Sequence, residues 1–305
     1  MTKTYRRANI EISNICNLKC SFCPEVERQK YSMEPESFEG LAAQLAPIVD
    51  EVCLHLMGEP LNHPRFAEFV AACARHQLPV NLTTNGLLLS GDRRTWALHP
   101  IVRQVNISVH SFEANFGVRD VGPYMERVFQ FTRAALEQRP DLYINLRIWD
   151  LQDPATLNDT NAAIRQHIED EFKVELSTIK IDVRRRKNLP LKGRIYLHFD
   201  SRFVWPSPQL PVRGQQGFCH GLSNHFGVHA DGTVVPCCLD KEAVINLGNI
   251  YQQSLNEILQ SSRAESMRQG FARGELREDL CQRCPFIERF ASKARKLSQK
   301  VPLHL

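Results

Sequence analysis

Three cysteines near the N-terminus are spaced so that they could hold one metal centre. Cys16, Cys20 and Cys23 form the pattern C-x3-C-x2-C. Three thiolates can ligate three irons of a cubane [4Fe–4S] cluster, which leaves the fourth iron open to a small molecule. An open coordination position is typical of a catalytic metal site. The alternatives are a zinc knuckle and a chance grouping, but no fourth ligand lies nearby to complete a structural zinc site.

A second group of cysteines lies near the other end of the chain. Asp231 and Gly232 predict a hairpin turn, and Gly232 precedes Cys237 in a G-x4-C pattern. Four thiolates suit either zinc or a [4Fe–4S] cluster, so residue chemistry alone leaves the metal open. Cys238 could replace its neighbour. The expected ligands of this second site are Cys219, Cys237, Cys281 and Cys284.

The remaining composition limits the class of protein. Of 305 residues, 43% are hydrophobic and 24% charged, which is enough for a sizeable core and excludes disorder. A net charge of +4 is too small to indicate nucleic-acid or membrane binding. The N-terminus lacks the apolar segment of a signal peptide, and no apolar run approaches the ~18 residues of a membrane span. We therefore expect a soluble cytoplasmic protein, in which disulfides are rare, with Cys53 and Cys73 in the core.

The cysteine triad needs a scaffold, and the first two-thirds of the chain alternate strand and helix patterns. Strands are predicted over residues 8–13, 52–57, 80–84, 105–109, 143–149 and 174–183, and helices over 35–49, 66–76, 123–138 and 154–171. Repeated βα units predict a parallel sheet, whose functional loops lie at the carboxyl ends of the strands. The triad directly follows the first predicted strand, so we expect it at that edge.

The pattern changes after a basic, proline-containing stretch at residues 184–192 and a second break at 205–208. Beyond these breaks the sequence predicts a hairpin at 226–235, a helix at 255–269 and a basic helical tail at 290–300. These features predict two domains, a catalytic α/β domain over residues 1–204 and a smaller one over 205–305.

The N-terminal motif resembles that of the radical SAM superfamily. Phe22 precedes the third cysteine, as an aromatic does in that family, and Gly58-Glu59-Pro60 resembles its Gly-Gly-Glu motif, with Met57 in place of the first glycine. The resemblance implies a partial (β/α)6 TIM-like barrel and a [4Fe–4S] cluster whose open iron binds S-adenosylmethionine (SAM). It also implies that the 57–60 segment binds the SAM amino group through backbone carbonyls and the Glu59 carboxylate.

Other polar residues lie at or near strand ends where this family contacts the cofactor. By resemblance, Asn85, Ser108 and His110 are expected to contact the SAM ribose or carboxylate. Arg147, on the fifth predicted strand, could pair with the cofactor carboxylate, because a guanidinium matches that group in two parallel hydrogen bonds.

The C-terminal segment GVHADGTVVPCCLD, followed by NLGNI and CQRC, resembles the SPASM/twitch extension of radical SAM enzymes. No cysteine follows Cys284, which resembles the shorter twitch form with a single auxiliary cluster. The resemblance therefore implies a small α+β extension that holds an auxiliary [4Fe–4S] cluster rather than zinc, with Cys237 preferred to Cys238 as a ligand.

The resemblance implies a reaction in which a 5′-deoxyadenosyl radical, formed by reductive cleavage of SAM, abstracts hydrogen from substrate. A fully ligated auxiliary cluster indicates an electron acceptor and hence a two-electron oxidation of a small alcohol or sugar-like metabolite. Asp240 is the candidate base, and an external donor such as flavodoxin or ferredoxin is expected. One alternative is a peptide or protein maturase, and the start of the first predicted strand near residue 8 argues against it. The other is a non-enzymatic zinc or iron–sulfur scaffold, which the open coordination position of the triad disfavours.

Overall fold

The structure is a computed structural model that describes residues 3–151, 161–176, 183 and 187–290. Within these ranges the strands are β1 (Tyr5–Ile10), β2 (Val49–Cys53), β3 (Val80–Thr84), β4 (Val102–Ile107), β5 (Tyr143–Leu151), β6 (Asn188–Lys192), β7 (Ile195–Ser201), β8 (His225–Val228), β9 (Thr233–Val235) and β10 (Gly248–Asn249). The helices are α1 (Pro35–Leu45), α2 (Phe66–Arg75), α3 (Gly91–Ala97), α4 (His110–Phe116), α5 (Val121–Gln138), α6 (Ala162–Phe172), α7 (Leu255–Leu259), α8 (Ser262–Arg273) and α9 (Asp279–Gln282).

The described strands form one sheet in the order β10-β9-β8-β1-β2-β3-β4-β5-β7-β6. Neighbours from β8 to β7 pair in parallel, whereas β6, β9 and β10 pair antiparallel. Helices α1, α2 and α3 connect consecutive strands of the parallel part, and α4 and α5 together connect β4 to β5. This arrangement confirms the expected partial TIM-like barrel of β/α units.

The two faces of the sheet differ in polarity. On β4, Val105 and Ile107 are buried in the hydrophobic core between sheet and helices. The concave face instead carries amides: Asn106 Nδ2 donates to Asn81 Oδ1 at 2.6 Å, and Asn145 Nδ2 donates to Asn106 Oδ1 at 2.9 Å. Buried amides that satisfy one another fix the pairing register of neighbouring strands. We call the space bounded by this polar face the lumen.

The strand predictions differ from the structure at their boundaries. Strands β1, β2 and β4 each begin and end two to four residues earlier than the predicted segments. The residues after each strand remain apolar because they are buried without pairing: Ile12, Leu54 and Leu56 lie in the core beyond the last ladder residue. Apolar patterning reports burial, and here burial continues into the loops at the carboxyl edge.

The predicted sixth strand was wrong in its described part, because residues 174–176 form no strand and 177–182 lie outside the described residues. The sixth parallel strand is β7, in which Ile195, Leu197 and Phe199 alternate towards the core. The basic stretch that suggested a boundary contains β6, which pairs with β7. Helix α6 matches the later part of the predicted 154–171 helix; residues 152–160 and the tail beyond residue 290 lie outside the described residues.

The C-terminal part joins the same sheet. The predicted hairpin is present as β8 and β9, with Gly232 in the turn at a φ of +85° that favours glycine. The single predicted helix at 255–269 is two helices, because Ser261 caps α8 by accepting a hydrogen bond from Ala264 N. Since β8 pairs with β1, the division at residues 204 and 205 stays a prediction. In the described part of the chain, no helix is long and apolar enough to cross a membrane.

Candidate functional site

The cysteine triad lies on the loop that follows β1, at the carboxyl edge of the parallel strands, where the sequence places it. We call residues 14–31 the cluster loop. A turn closes it, with Cys23 N donating to Cys20 O at 3.0 Å. Burial, together with the nearby thiols of Cys20 and Cys16, raises the pKa of Cys23 to about 11. Three neighbouring thiols in one loop supply the donor set that a site-open iron–sulfur cluster requires.

Helix α4 holds the cluster loop from the side. Asn115 Nδ2 donates to Cys20 Sγ at 3.1 Å, and Asn115 Oδ1 accepts from Lys19 N at 2.8 Å. Within the loop, Leu18 N donates to Cys16 Sγ at 3.4 Å. Hydrogen bonds to ligating sulfurs tune the potential of an iron–sulfur centre, so these donors would affect the chemistry as well as the position of a cluster held by this loop.

A buried ion pair closes the base of the cluster loop. Arg28 Nη2 lies 2.9 Å from both carboxylate oxygens of Glu11, which is fully buried just after β1. The same carboxylate accepts from Met57 N and Ala230 N, both at 3.2 Å. Glu11 therefore joins the cluster loop, the 57–60 segment and the C-terminal hairpin at one point.

The 57–60 segment requires the glycine that the sequence supplies. Gly58 has a φ of +76°, and a Cβ at this position would collide with the Ser13 carbonyl oxygen. Glu59 is buried, and its two carboxylate oxygens accept from Asn85 N at 2.7 Å and Leu61 N at 3.0 Å. Burial nevertheless raises the pKa of Glu59 to about 7. Because burial disfavours the ionised form of this carboxyl, a cationic ligand group beside it would stabilise its negative charge.

Asn85 connects the end of β3 to both neighbouring loops. Besides its backbone bond to Glu59, its Nδ2 donates to Asn17 Oδ1 at 2.8 Å. The hydroxyl of Tyr124, on α5, donates to the Asn85 carbonyl at 2.9 Å. Asn85 is therefore more than the plain turn residue that the pair Asn85-Gly86 would suggest.

His110 and Phe22 form a contact between α4 and the cluster loop. Their ring centroids are 4.6 Å apart, and His110 Nδ1 hydrogen-bonds the Arg147 carbonyl at 2.9 Å. Burial lowers the pKa of His110, so the imidazole is neutral at physiological pH. Ser108 follows β4 directly, and its backbone N–H donates to the Thr84 carbonyl at 2.8 Å, which places it beside Asn85.

Arg147 projects from β5 into the lumen, on the same face as Asn145. Its Nη1 donates to Thr83 Oγ1 at 3.4 Å, and its guanidinium carbon lies 4.3 Å from the ring centroid of Trp149. Trp149 Nε1 in turn donates to His198 Nδ1 at 2.7 Å. The sequence-based expectation that Arg147 pairs with the cofactor carboxylate stays a prediction.

The second cysteine group also converges in space. A cavity of about 120 Å³ is lined by five cysteines from three segments of the chain, Cys219, Cys237, Cys238, Cys281 and Cys284. Burial and three neighbouring thiols raise the pKa of Cys237 well above its ordinary value, and burial with the nearby Cys219 raises that of Cys284 to about 11. We call this cavity and its cysteines the auxiliary site, and its ligation of a cluster stays a prediction.

Cys238 and Asp240 lie at the wall of this cavity. Cys238 packs against Leu56, Met57 and Val235. Burial raises the pKa of its thiol, and the charge of Arg7 partly offsets this rise. Asp240 is buried and its two carboxylate oxygens accept from the N–H groups of residues 244 and 245 at 2.9 and 2.8 Å. Asp240 thus organises the loop after the auxiliary-site cysteines, and its role as a base stays a prediction.

The auxiliary-site loop is bound directly to the cluster loop. The Glu242 carboxylate accepts from the N–H groups of residues 27 and 28, each at 3.0 Å. Lys241 Nζ donates to the Glu25 carbonyl at 2.8 Å, and Arg28 Nε donates to the Lys241 carbonyl at 2.6 Å. The loops that follow the two groups of cysteines are therefore neighbours.

Sequence reasoning missed several residues that position this site, among them Asn17, Asn115, Glu11 and Arg28. Asn17 lies inside the C-x3-C motif, and Asn115 is a polar residue on the helix that follows β4, so both lie in segments that the sequence marks as functional. Glu11 and Arg28 carried no comparable signal, because a charged residue is usually read as exposed.

Family models match both parts of the chain. Residues 10–157 match the model of the radical SAM superfamily, and residues 219–285 match that of an iron–sulfur cluster-binding domain, SPASM. A search of curated proteins found no match.

Solved structures match over nearly the whole chain at low identity. BtrN in complex with AdoMet and 2-DOIA is 17% identical with a TM-score of 0.57, over 93% of this chain and 94% of that chain. SuiB of Streptococcus suis bound to S-adenosylmethionine is 14% identical with a TM-score of 0.59, over 93% and 72% of the two chains. Native anSMEcpe with bound AdoMet is 14% identical with a TM-score of 0.55, over 96% of each chain.

Proposed function

We propose a function on the premise that this chain belongs to the radical SAM superfamily and carries a SPASM iron–sulfur region. Enzymes of this superfamily hold a [4Fe–4S] cluster with SAM, and the SPASM region holds auxiliary iron–sulfur clusters. Within that class we assign the chain to the oxidoreductases. Its reaction would be a two-electron oxidation of a small alcohol or sugar-like metabolite, assisted by one auxiliary cluster.

The residues present fit the first cluster and its cofactor. Cys16, Cys20 and Cys23 would ligate three irons, and the buried Glu59 carboxylate would accept the SAM ammonium group beside the backbone of Gly58. The chemistry that these groups supply when bound is a 5′-deoxyadenosyl radical able to take hydrogen from an unactivated carbon. The chain itself supplies position, since orientation of the reacting carbon provides much of the acceleration in such a site.

The remaining SAM contacts are assigned by position around Glu59. Asn85 lies next to that carboxylate and to the cluster loop, and Ser108 lies beside Asn85. The tilted rings of Phe22 and His110 pack against each other on the side of α4. Pro60 begins a short helical turn, in which the N–H of Leu61 donates to the Glu59 carboxylate. We assign these residues to the ribose, carboxylate and adenine surroundings of the cofactor.

The auxiliary site supports the oxidative assignment. Four thiolates satisfy all the irons of a [4Fe–4S] cluster, so no iron is left for substrate. After one hydrogen atom leaves the substrate carbon, loss of one proton and one electron completes conversion of an alcohol carbon to a carbonyl. Cys219, Cys237, Cys281 and Cys284 would hold the auxiliary cluster, which would supply an acceptor for that electron. Asp240 is an acid that lines this cavity, and it remains our candidate for the proton.

Two observations bear on the substrate class. BtrN, whose structure holds 2-DOIA, matches this chain over 94% of its own length, which supports a small-molecule substrate. The alternative is a peptide or protein maturase. It draws support from SuiB bound to precursor peptide SuiA and from anSMEcpe with bound peptide, each similar to this chain.

The test is anaerobic reconstitution followed by reduction in the presence of SAM. We expect about eight irons per chain and release of 5′-deoxyadenosine with dithionite or with reduced flavodoxin or ferredoxin as donor. Zinc in place of iron, with no cofactor cleavage, would contradict the function. Deuterium transfer into 5′-deoxyadenosine from a labelled alcohol library, compared with a labelled peptide library, then decides between the two substrate classes.

A further inference from the structure

The lumen contains a half-buried cation, Arg147, that has no anionic partner among the described residues. Arg147 Nε is buried with no hydrogen-bond partner, and Nη1 has only the long 3.4 Å bond to Thr83 Oγ1. Among the described residues, no carboxylate forms an ion pair with this guanidinium. A buried charge without a counter-ion is costly, and removing one partner of a buried pair typically costs several kcal/mol.

The surroundings of Arg147 further disfavour the charged form of its guanidinium. Burial is the largest cause that lowers the pKa of Arg147, to about 9. Burial and the charge of Arg147 lower the pKa values of His55 and His198 to about 4, so both imidazoles are neutral. Two polar but uncharged rings therefore face a cation that nothing in the described lumen neutralises.

The nearest acid is already engaged elsewhere. Asp200, at the end of β7, accepts from Lys187 Nζ at 2.7 Å and from Arg289 Nη1 at 3.1 Å. Lys187 and Arg289 thus already pair with this carboxylate, which forms no ion pair with Arg147. These residues, except Arg147, line a cavity of about 260 Å³ that Trp149 also borders, at the carboxyl ends of β5 and β7. The cavity has room for a small ligand beside the lumen.

The position of the guanidinium separates it from the assigned SAM contacts. Its hydrogen bond reaches Thr83, two residues before Asn85 on β3, and the thiol of Cys53 on β2 raises its pKa. Cys53 lies four residues before Met57. The guanidinium therefore lies beside β3 and β2 at positions that precede the residues surrounding Glu59.

We infer that Arg147 is a receptor for an anionic group of the substrate, a carboxylate or a phosphate, bound in the lumen between Trp149 and Thr83. This inference rests on the proposed function, because it names the substrate class of that site. A guanidinium binds either anion through parallel hydrogen bonds, and the unpartnered Nε is one of the donors that such a bond uses. The SAM carboxylate is the competing source of the same chemistry.

The experiment is a calorimetric titration at fixed ionic strength. Inorganic phosphate or acetate is added to anaerobically reconstituted holoenzyme that is already saturated with SAM. Wild type should bind at least one of these anions at a single site, and Arg147→Gln should weaken that binding by about tenfold or more. Arg147→Lys, which keeps the charge without the planar geometry, should weaken it less. Titration of SAM itself should give the same affinity in all three proteins.

Arg194→Gln is the matched control, because its guanidinium also stacks on an aromatic ring, Tyr143, at the opposite end of β5. It should leave both titrations unchanged. A tenfold loss of SAM affinity in Arg147→Gln with unchanged anion binding would assign the guanidinium to the cofactor and overturn the inference. Equal anion binding by wild type and both Arg147 variants would also overturn it. Release of 5′-deoxyadenosine by wild type tests the proposed function separately, so either can fail alone.

Discussion

The carboxylate of Glu11 and the guanidinium of Arg28 form a buried contact, 2.9 Å from nitrogen to each oxygen, that unites the two halves of the candidate site. Glu11 directly follows β1, and Arg28 lies near the end of the cluster loop. Because the carboxylate also accepts from Met57 N and Ala230 N, one side chain sets the distance between the 57–60 segment and the auxiliary-site hairpin.

Glu11→Gln should therefore loosen both cluster-binding loops. The substitution removes the charge that balances Arg28 and should lower the free energy of unfolding by about 3 kcal/mol. Chemical denaturation of the reconstituted protein measures this loss, and iron content should fall at both sites. Glu51→Gln is the control, since Glu51 is also a buried carboxylate paired with arginines, on β2 away from both loops. Equal iron loss in the two variants would argue against a specific role for Glu11.

Removing part of the auxiliary site should separate the two steps of the reaction. We expect Cys281→Ser with Cys284→Ser to lower iron from about eight to about four per chain while SAM cleavage continues. Oxidised product should no longer form, because the electron has no acceptor. Quantified iron, 5′-deoxyadenosine and product decide the matter. Intact product formation in this double variant would remove the auxiliary site from the mechanism.

Cys237 and Cys238 form a matched pair for assigning the fourth ligand. Both line the cavity, but Cys237 is influenced by the thiols of Cys219 and Cys281, whereas Cys238 is influenced by Cys219 and also packs against apolar side chains that include Leu56. Cys237→Ser should lose the auxiliary cluster, and Cys238→Ser should keep it. Electron paramagnetic resonance of the reduced proteins reports each cluster. The reverse result would assign the ligand to Cys238.

The pKa of Glu59 predicts how cofactor affinity depends on pH. Because burial raises this pKa to about 7 in the absence of SAM, affinity for SAM should rise as the pH passes upward through about 7 and the carboxyl ionises. It should fall again above about 8, where an α-amino group loses its proton. In Glu59→Gln the rising limb should vanish and the affinity should drop. Calorimetry between about pH 6 and 9 measures both limbs.

The same shift affects stability without SAM. The pKa of Glu59 is raised in the folded state, so its contribution to stability is present at acid pH and is lost as the pH rises through about 7. Denaturation of wild type should show this decline, and Glu59→Gln should not. A pH-independent difference between the two proteins would contradict a titrating carboxyl at this position.

Asn115 should set the potential of the first cluster. Its Nδ2–H donates to Cys20 Sγ, and hydrogen bonds to ligating sulfur stabilise the reduced form. Asn115→Ala should therefore lower the potential of the first cluster and slow SAM cleavage with a weak reductant, leaving the auxiliary cluster unchanged. Redox titration resolves the two centres. Asn256→Ala, on the exposed surface of α7, is the control, and a shift of both potentials in Asn115→Ala would indicate a general disturbance instead.

Much of this arrangement could be predicted because it depends on local pattern. The triad, the C-x2-C pair and the glycine-containing hairpin are short motifs whose spacing carries the chemistry, and β3 matches its predicted limits. What could not be predicted depends on contacts between distant segments. Nothing local marks β7 as the strand beside β5, and nothing local distinguishes the buried Glu11 from an exposed glutamate.

The amide of Asn9 hydrogen-bonds the Phe226 carbonyl across 217 residues of chain, because β8 pairs with β1. During synthesis, β1 therefore leaves the ribosome long before β8, whose pairing covers its outer edge. At about 5–20 residues per second, that edge stays open for ten seconds or more. Open strand edges pair readily with other chains. In a chain that ends after residue 204, the outer edge of β1 would stay unpaired. We therefore expect such a fragment to aggregate rather than to fold as an independent barrel.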